Sequence, residues 1–279
     1  MDLFESLTQN GTNRKLGNRL LRKMTLNVLL LAAGMGTRLR PITQTVPKCM
    51  VPILGRPLLD YWIELLCSQE IAAPMGPLGK IFINTHYLPQ SVVDYVNASP
   101  HLDKLCTRHE VNLMGTAGTM LSLISNFKGQ PLLVAHADNL TLFDVNAFVD
   151  TYLKRPTGCI ATMMTFETDD PKSCGIVVLD AKDIAVGFQE KVENPPGNLA
   201  NAAVFLFSAE ALNVIETLSK EKTLCDISLD LLPNLIGKMN TFQNKIYHRD
   251  IGNTQSLLRA EEEFPIAYQS FKLQTQPIN

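Results

Sequence analysis

Short apolar runs alternate along the chain with segments in which apolar residues recur every three or four positions. Almost wholly apolar runs, such as residues 26–33, are typical of strands buried on both faces of a parallel sheet. Helical spacing, as in residues 57–68, is typical of a helix that packs one face on such a sheet. Because strand–helix–strand order implies right-handed parallel crossovers, we expect an α/β domain with a mainly parallel sheet flanked by helices.

The same pattern predicts individual elements as far as residue 264. The predicted strands cover residues 26–33, 80–86, 104–110, 131–140, 159–166, 174–180, 184–195, 198–208 and 244–253. The predicted helices cover residues 57–68, 91–99, 144–154, 209–218, 226–239 and 254–264, and one more begins near Gly115. Strands 174–180 and 184–195 form an expected antiparallel pair around a turn, which makes the sheet mixed.

The loop after the first predicted strand is rich in glycine and carries positive charge. Gly34, Gly36 and Thr37 precede Arg38, and Lys48 lies on the same connection. Glycine lets backbone N–H groups approach an anion, because no Cβ stands in the way. The stretch therefore predicts a phosphate-binding site, with an ordinary strand and turn bearing two solvated cations as the lesser alternative.

Two common phosphate-binding motifs do not fit this loop. The dinucleotide fingerprint G-x-G-x-x-G requires glycine at the position of Leu39, and Pro41 and Pro47 delay the helix that this motif requires. The Walker motif fails because no Gly-Lys-Ser/Thr follows.

Two further segments carry candidate chemistry. Gly115 and Gly118 lie where a helix begins, and backbone N–H groups there can meet a ligand, although a simple helix start explains them better when taken alone. Asp138 ends an apolar run, at the edge of the sheet where ligands of open α/β folds bind. Its carboxylate is suited to Mg²⁺; the alternative is a helix cap, for which Asp144 is the better candidate.

In chain order these motifs resemble those of the sugar nucleotidyltransferases, also called nucleotide-sugar pyrophosphorylases. The matching segments are G-x-G-T-R-L-x-P with a following Pro-Lys at 34–48, the G-T-A-G segment that opens with Glu110, Ala-Asp-Asn at 137–139, Glu-Lys at 190–191 and Asp-Ile-Gly at 250–252. The resemblance covers about residues 26–262 and implies a Rossmann-like nucleotide-diphospho-sugar transferase fold. No hexapeptide repeat follows, so we expect no β-helix domain.

The resemblance also assigns roles to the matching residues. It implies catalytic roles for Arg38, Lys48 and Asp138, and a Mg²⁺ site at Asp138 and Asp250. The implied nucleotide-binding residues are Ala32, Ala33, Gly34, Gly36, Thr37 and Gly115. The implied sugar-binding residues are Glu190, Lys191 and Asn201. For Glu190 and Lys191, a solvated ion pair is the ordinary alternative.

Several positions depart from the family pattern. Cys49 and Val192 stand in place of proline, Ala137 and Ala203 in place of glycine, and Asn253 in place of threonine. Ala203 bears most on the sugar site, because a side chain there keeps the backbone farther from a sugar.

The implied reaction transfers a nucleotidyl group from an NTP to a sugar 1-phosphate and releases pyrophosphate. The G-T-A-G form resembles the guanylyltransferase branch, so GTP and mannose 1-phosphate are favoured, with a GDP-sugar for surface polysaccharide as product. The alternatives are a thymidylyl-, uridylyl- or cytidylyltransferase acting on glucose 1-phosphate, and a heptose-1-phosphate guanylyltransferase. A regulatory subunit that binds nucleotide sugar without making it, and a metal-dependent glycosyltransferase, are the rivals from other classes.

Composition limits the kinds of partner and the cellular location that we expect. The 279 residues carry a net charge of −2, which favours neither nucleic acid nor an anionic membrane surface. The six cysteines form no C-x-x-C pair, so we expect reduced thiols and a cytoplasmic protein. No stretch of 18 apolar residues predicts a membrane span. A homo-oligomer is expected from the resemblance alone.

The chain is expected to divide into a basic arm (1–24), a catalytic domain (25–265) and a tail (266–279). The basic arm followed by an apolar run also fits a signal peptide. We favour the arm because cleavage there would remove the first strand, although Met24 is also a candidate start.

Overall fold

A nine-stranded mixed sheet lies at the centre of the protein. The structure, a computed structural model, describes residues 24–71, 75–127 and 129–275. The expected arm therefore lies outside the described residues apart from Met24, as do the last four residues of the expected tail. Within the described ranges no helix is long and apolar enough to cross a bilayer, and no β-helix follows the sheet.

The described part of the chain forms thirteen strands, the shortest of two residues, and seven α-helices, each of four or more residues. The strands are β1 (Leu26–Leu31), β2 (Pro52–Ile53), β3 (Arg56–Pro57), β4 (Leu78–Thr85), β5 (Leu105–His109), β6 (Leu132–His136), β7 (Asn139–Leu142), β8 (Ala161–Glu167), β9 (Gly175–Leu179), β10 (Ala185–Glu190), β11 (Leu199–Phe207), β12 (Met239–Gln243) and β13 (Tyr247–Asp250). The helices are α1 (Leu58–Cys67), α2 (Pro89–Ala98), α3 (Gly115–Leu123), α4 (Val145–Leu153), α5 (Ala209–Glu221), α6 (Leu232–Leu235) and α7 (Thr254–Thr275).

The parallel half of the sheet carries the predicted phosphate loop. Its order is β6-β1-β4-β5, and each neighbouring pair is parallel. Strands β11, β9 and β10 continue the sheet in antiparallel pairings, and β8 and β12 extend it beyond β11. The α/β prediction with a largely parallel central sheet flanked by helices is confirmed.

Strand β1 is buried on both faces, as its apolar run predicts. Val28 and Leu30 belong to one hydrophobic cluster, and Leu29 and Leu31 to the other. Successive side chains of a strand point to opposite faces, so β1 separates two cores. This position fixes the loop after β1 at the carboxyl edge of the sheet.

Two predicted elements are wrong in part. Residues 226–239 were expected to form one helix, but the helical region ends at Leu235 and Met239 already begins β12. Pairing with β8 gives that segment its strand conformation, which helical spacing in the sequence does not report. The predicted strand at 131–140 is two strands, because the chain turns at Ala137 and Asp138 between β6 and β7.

The expected tail is a continuation of the last helix. Helix α7 runs through Pro265 to Thr275, although proline removes a helical hydrogen bond. Tertiary contacts outweigh that cost: the Phe264 ring meets that of Tyr61 on α1 edge to face at 4.9 Å, Phe271 is buried, and Lys272 donates to Glu64 on α1.

Candidate active site

Three charged side chains from distant parts of the chain meet at the carboxyl edge of the sheet. Lys48 Nζ lies 2.5 Å from Asp138 Oδ2 and 3.4 Å from Asp250 Oδ1. Asp138 follows β6, and Asp250 ends β13. The backbone secures this arrangement, because Asp250 pairs with Asn139 in the β7–β13 ladder and the Ile251 N–H donates to the Asp138 carbonyl at 3.3 Å.

Burial makes this charge cluster tightly coupled. Lys48 is only 8% exposed. Burial by itself lowers the pKa of Lys48, but the carboxylates of Asp138 and Asp250 outweigh it and raise that pKa. Burial likewise opposes ionisation of Asp138, whereas Lys48 and then His136 lower its pKa overall. Lys48 and Asp138 therefore form a charged pair at neutral pH.

Arg38 and Asp250 line a cleft at this edge of the sheet. A Cβ added at Gly252 would lie 2.7 Å from Asp250 Oδ2 and 3.2 Å from Arg38 Nη2, so only glycine fits between these two side chains without displacing them. The cleft measures about 490 Å³. Its lining includes Arg38, Asp250, Ser173, Lys191, Arg249 and Arg259.

The phosphate loop is held in a conformation that exposes its backbone. Gly36 has φ +61°, in the left-handed region that glycine adopts readily. The buried hydroxyl of Thr43 donates to the Gly36 carbonyl at 2.6 Å. Gly34 and Thr37 remain exposed, whereas Ala32 and Ala33 are buried at the start of the loop. The predicted phosphate loop thus presents its glycines at the sheet edge.

A second loop lies two strands away, beyond β4. Gly115 opens α3 with φ +75°, and a Cβ there would lie 2.3 Å from the Cys225 carbonyl oxygen. The Ala117 N–H donates to that same carbonyl at 2.9 Å. Gly115 is thus required by both conformation and space, and the segment after Leu224 packs directly on this loop.

The three predicted sugar-site residues are not all brought to the cleft. Lys191 lines it, and its Nζ lies 3.2 Å from Glu190 Oε1; the Lys191 side chain of this ion pair is 63% exposed and that of Glu190 21%. Asn201 on β11 is absent from the cleft lining, and its Oδ1 accepts from the Ala203 N–H at 2.9 Å. Ala203 itself has φ +53°, a conformation that favours glycine, which is the residue the family pattern has there.

Asn84, Thr119 and His248 were not predicted to act at the site, and Glu110 was predicted only as the start of the second motif. Asn84, Glu110 and Thr119 form a buried hydrogen-bonded group between the two glycine loops. His248 lies beside the cleft, its ring 4.2 Å from that of Phe166 and its buried Nδ1 without a partner in the described structure. Burial lowers the pKa of His248 to about 3, so it is a neutral side chain. A polar residue within an apolar strand, as in Asn84, is the signal that could have drawn attention to the buried group.

The donor set suits the expected Mg²⁺. Two carboxylates that reach one ammonium group lie close enough to share one cation, and Mg²⁺ binds one or two protein carboxylates together with water and substrate phosphates. Within the described residues no cluster of three or more metal-ligating side chains occurs. A bound ion would therefore take its remaining ligands from water and phosphate.

The fold and site together define a mixed α/β protein with a charged cleft at the carboxyl edge of its sheet. A family model described as "Nucleotidyl transferase" matches residues 27–265, and the chain belongs to that family.

Three relatives show where in the family the similarity lies. A candidate mannose-1-phosphate guanyltransferase from Sulfolobus acidocaldarius is 28% identical over 85% of this chain and 63% of its own length. The mannose-1-phosphate guanylyltransferase of Mycobacterium tuberculosis is 24% identical, again over 85% of this chain, and 64% of its length. The bifunctional protein GlmU of Methanocaldococcus jannaschii is 28% identical over 85% of this chain and 54% of its length. The chain thus spans between about half and just under two thirds of the length of these curated relatives.

Solved structures agree on the fold. HddC from Yersinia pseudotuberculosis, complexed with GMP-PN, superposes with a TM-score of 0.68 at 25% identity, over 85% of this chain and 99% of that one. A UDP-glucose pyrophosphorylase complexed with UDP-glucose gives 0.70 at 20% identity, over 88% of this chain and 100% of that one. The chain thus belongs to the nucleotidyl transferase family and is similar to proteins of the mannose-1-phosphate guanylyltransferase group.

Proposed function

We propose that this protein transfers a nucleotidyl group from an NTP to a sugar 1-phosphate and releases pyrophosphate. The observation that carries the proposal is the convergence of Lys48, Asp138 and Asp250 after a glycine-rich phosphate loop, at the edge of a cleft that Asp250 and Arg38 line. Two polyanions must approach each other in this reaction, so positioning and charge neutralisation are the main tasks of the protein.

The proposed chemistry is an in-line displacement. An oxygen of the sugar phosphate attacks the α-phosphorus, the bond from that phosphorus to the bridging oxygen breaks, and pyrophosphate leaves with the electron pair. Arg38 binds the β- and γ-phosphates through its planar guanidinium fork. Lys48 neutralises charge near the α-phosphorus, and Lys191 holds the sugar phosphate. Mg²⁺ on Asp138 and Asp250, when bound, supplies further neutralisation of phosphate charge.

We favour GTP as the nucleotide. The support comes from the two similar proteins named as mannose-1-phosphate guanylyltransferases or candidates for that role, and from HddC with its GMP-PN.

Mannose 1-phosphate is the favoured acceptor, on the similarity to the mannose-1-phosphate guanylyltransferases alone. The similarity to GlmU keeps other sugar phosphates and bases as the second candidate. Cytoplasmic location and a homo-oligomer stay predictions.

A substrate panel tests the proposal. Purified protein is incubated with each NTP and with mannose, glucose or heptose 1-phosphate, and Mg²⁺-dependent pyrophosphate release and product mass are measured. We expect GDP-mannose to form fastest. Preferred use of dTTP with glucose 1-phosphate would overturn the guanylyl assignment. Tight binding of nucleotide sugar without turnover of any pair would instead favour a regulatory subunit, and sugar transfer from a nucleotide sugar would favour a glycosyltransferase.

A further inference from the structure

A chain of buried hydrogen bonds joins the two glycine loops across the edge of the sheet. Strand β4 lies between β1 and β5, and Asn84 is its penultimate residue. Asn84 Oδ1 accepts from the Ala32 N–H at 2.6 Å, at the start of the phosphate loop. Asn84 Nδ2 donates to Glu110 Oε1 at 2.8 Å, at the start of the second loop.

The chain continues from Glu110 into α3. Glu110 Oε2 accepts from the Met114 N–H at 3.2 Å, and the Thr119 hydroxyl lies 2.5 Å from Glu110 Oε1. That hydroxyl also accepts from Asn84 Nδ2 at 3.2 Å and lies 2.9 Å from the Gly115 carbonyl. Asn84, Glu110 and Thr119 are each 3% exposed or less. Polar groups this buried are costly to leave unpaired, so each of these side chains is held in the conformation that keeps its hydrogen bonds.

We infer that Asn84 is a positioning residue that sets the spacing between the phosphate loop and the Gly115 loop, and so controls affinity for the NTP. This inference rests on the proposed function, because it assumes that one NTP spans both loops. A primary amide is the required group: it accepts from Ala32 through oxygen and donates to Glu110 and Thr119 through nitrogen. Lys191 follows β10, outside both loops, so the sugar phosphate is not expected to sense this residue.

Removal of the amide provides the first test. In Asn84→Ala the Ala32 N–H and the Glu110 carboxylate each lose a partner, and the side-chain link between the two loops is broken. We expect the KM for GTP to rise by about tenfold, the change that corresponds to one lost hydrogen bond with a buried group left unpaired. The KM for mannose 1-phosphate should stay within about twofold of the wild-type value, which corresponds to less than the loss of one hydrogen bond.

A matched control separates positioning from loss of stability. Asn240 on β12 is also buried, accepts from Thr162 at 2.8 Å and donates to the Thr151 carbonyl at 3.2 Å, far from the glycine loops in the sheet order. Asn240→Ala should lower thermal stability as Asn84→Ala does and leave the KM for GTP unchanged. Equal effects of both variants on that KM would overturn the inference.

A conservative variant gives a signature that a purely structural residue would not give. The carboxyl group introduced by Asn84→Asp matches the amide only when it is protonated, since it then has one O–H donor and one oxygen acceptor. The titratable groups on the surrounding elements are Glu110, His86, whose Nδ1 lies 2.9 Å from the Glu110 carbonyl, and His109. The introduced carboxylate would repel the Glu110 carboxylate when both are ionised, and protonation of one of the two groups at lower pH would restore a hydrogen bond between them. The ratio of variant to wild-type KM for GTP should therefore fall as the pH is lowered.

Calorimetric titration of GTP without sugar phosphate completes the design. If the wild-type protein neither binds nor turns over any NTP, the proposed function itself fails. If it binds GTP and Asn84→Ala binds equally well, only the positioning role fails. Should Asn84→Ala not fold, the pH-dependent ratio for Asn84→Asp decides: a ratio that falls towards unity at acid pH supports the role, and a constant ratio overturns it.

Discussion

Replacement of Lys48 by methionine tests whether its ammonium keeps two carboxylates in one place. Lys48→Met retains most of the side-chain volume and removes the charge that lies 2.5 Å from Asp138 and 3.4 Å from Asp250. Loss of one partner from a fully buried ion pair costs about 3–5 kcal/mol, whereas an exposed contact is worth under about 1 kcal/mol. The Asp138 side chain is 23% exposed and that of Asp250 58%, which places the expected loss between these two ranges.

We therefore expect Lys48→Met to lower the free energy of unfolding by about 2–3 kcal/mol in the presence of a chelator, or about 5–10 °C in Tm. Added Mg²⁺ should recover much of this loss, because a cation shared by Asp138 and Asp250 replaces the missing charge. The increase in Tm on adding Mg²⁺ should accordingly be larger in the variant than in the wild type. Thermal unfolding followed by the single tryptophan, Trp62, measures both quantities; its Nε1 donates to the Asn139 carbonyl at 2.8 Å, directly after Asp138.

Lys154 offers the control for this experiment. It forms an exposed ion pair with Asp150 one helical turn away, at 2.7 Å. Lys154→Met should change stability by under about 0.5 kcal/mol and should leave the response to Mg²⁺ unaltered. A Lys48→Met protein that is as stable as wild type in chelator, and gains no more from Mg²⁺, would refute the idea that one cation position is shared.

The cleft, the second loop and the helix α7 contact each support a further prediction. Arg38→Ala should reduce turnover by over about 10²-fold with the fold intact, measured as pyrophosphate release. Gly115→Ala should lower stability by about 1–3 kcal/mol or more and raise the KM for NTP, because its φ of +75° and the Cys225 carbonyl both oppose a Cβ. Burial raises the pKa of Glu64, but hydrogen bonds, first that from Lys272, lower it to about 2. The stabilisation that ionised Glu64 gives the fold should thus be present above the unfolded pKa near 4.5 and be lost as the pH falls towards 2. The free energy of unfolding of Glu64→Gln, measured in urea, should therefore change less over this pH range than that of the wild type, by on the order of 1–2 kcal/mol.

Controls for these variants come from the same segments or from matched glycines. Arg40 lies two residues from Arg38 and is exposed outside the cleft lining, so Arg40→Ala removes the same charge and should keep turnover within a few-fold. Gly129 has φ +76° with no atom within 4 Å of an added Cβ, so Gly129→Ala isolates conformational strain from the clash at Gly115. A Gly115→Ala protein no less stable than Gly129→Ala would contradict the clash.

The parts of the site that could be predicted are those that follow from the sheet edge. An apolar run identifies β1 and therefore locates the loop at Gly34 and Gly36, and Asp138 follows β6 by the same reasoning. Local pattern is sufficient there, because a strand buried on both faces has one clear signature. The fold class follows from the order of such strands.

What the sequence did not reveal depends on contacts between distant segments. Strand β12 takes its conformation from β8, and α7 passes through Pro265 because α1 and the aromatic contacts retain it. Asn84 acquires a role only because β4 lies between the two loops. In each case the deciding interaction joins residues far apart in sequence, which periodicity and propensity cannot register.

The position of Lys48 shows how charge can be arranged before substrates arrive. The sequence motif predicts a lysine that binds phosphate, whereas the structure has the Lys48 ammonium between Asp138 and Asp250. Two neighbouring carboxylates would otherwise repel each other. The ammonium of Lys48 attracts both, so the carboxylates that would hold a cation and the lysine that would meet phosphate are oriented by each other. Such mutual orientation lets the cleft form without its ligands, and it is this property that Lys48→Met should remove in chelator and Mg²⁺ should restore.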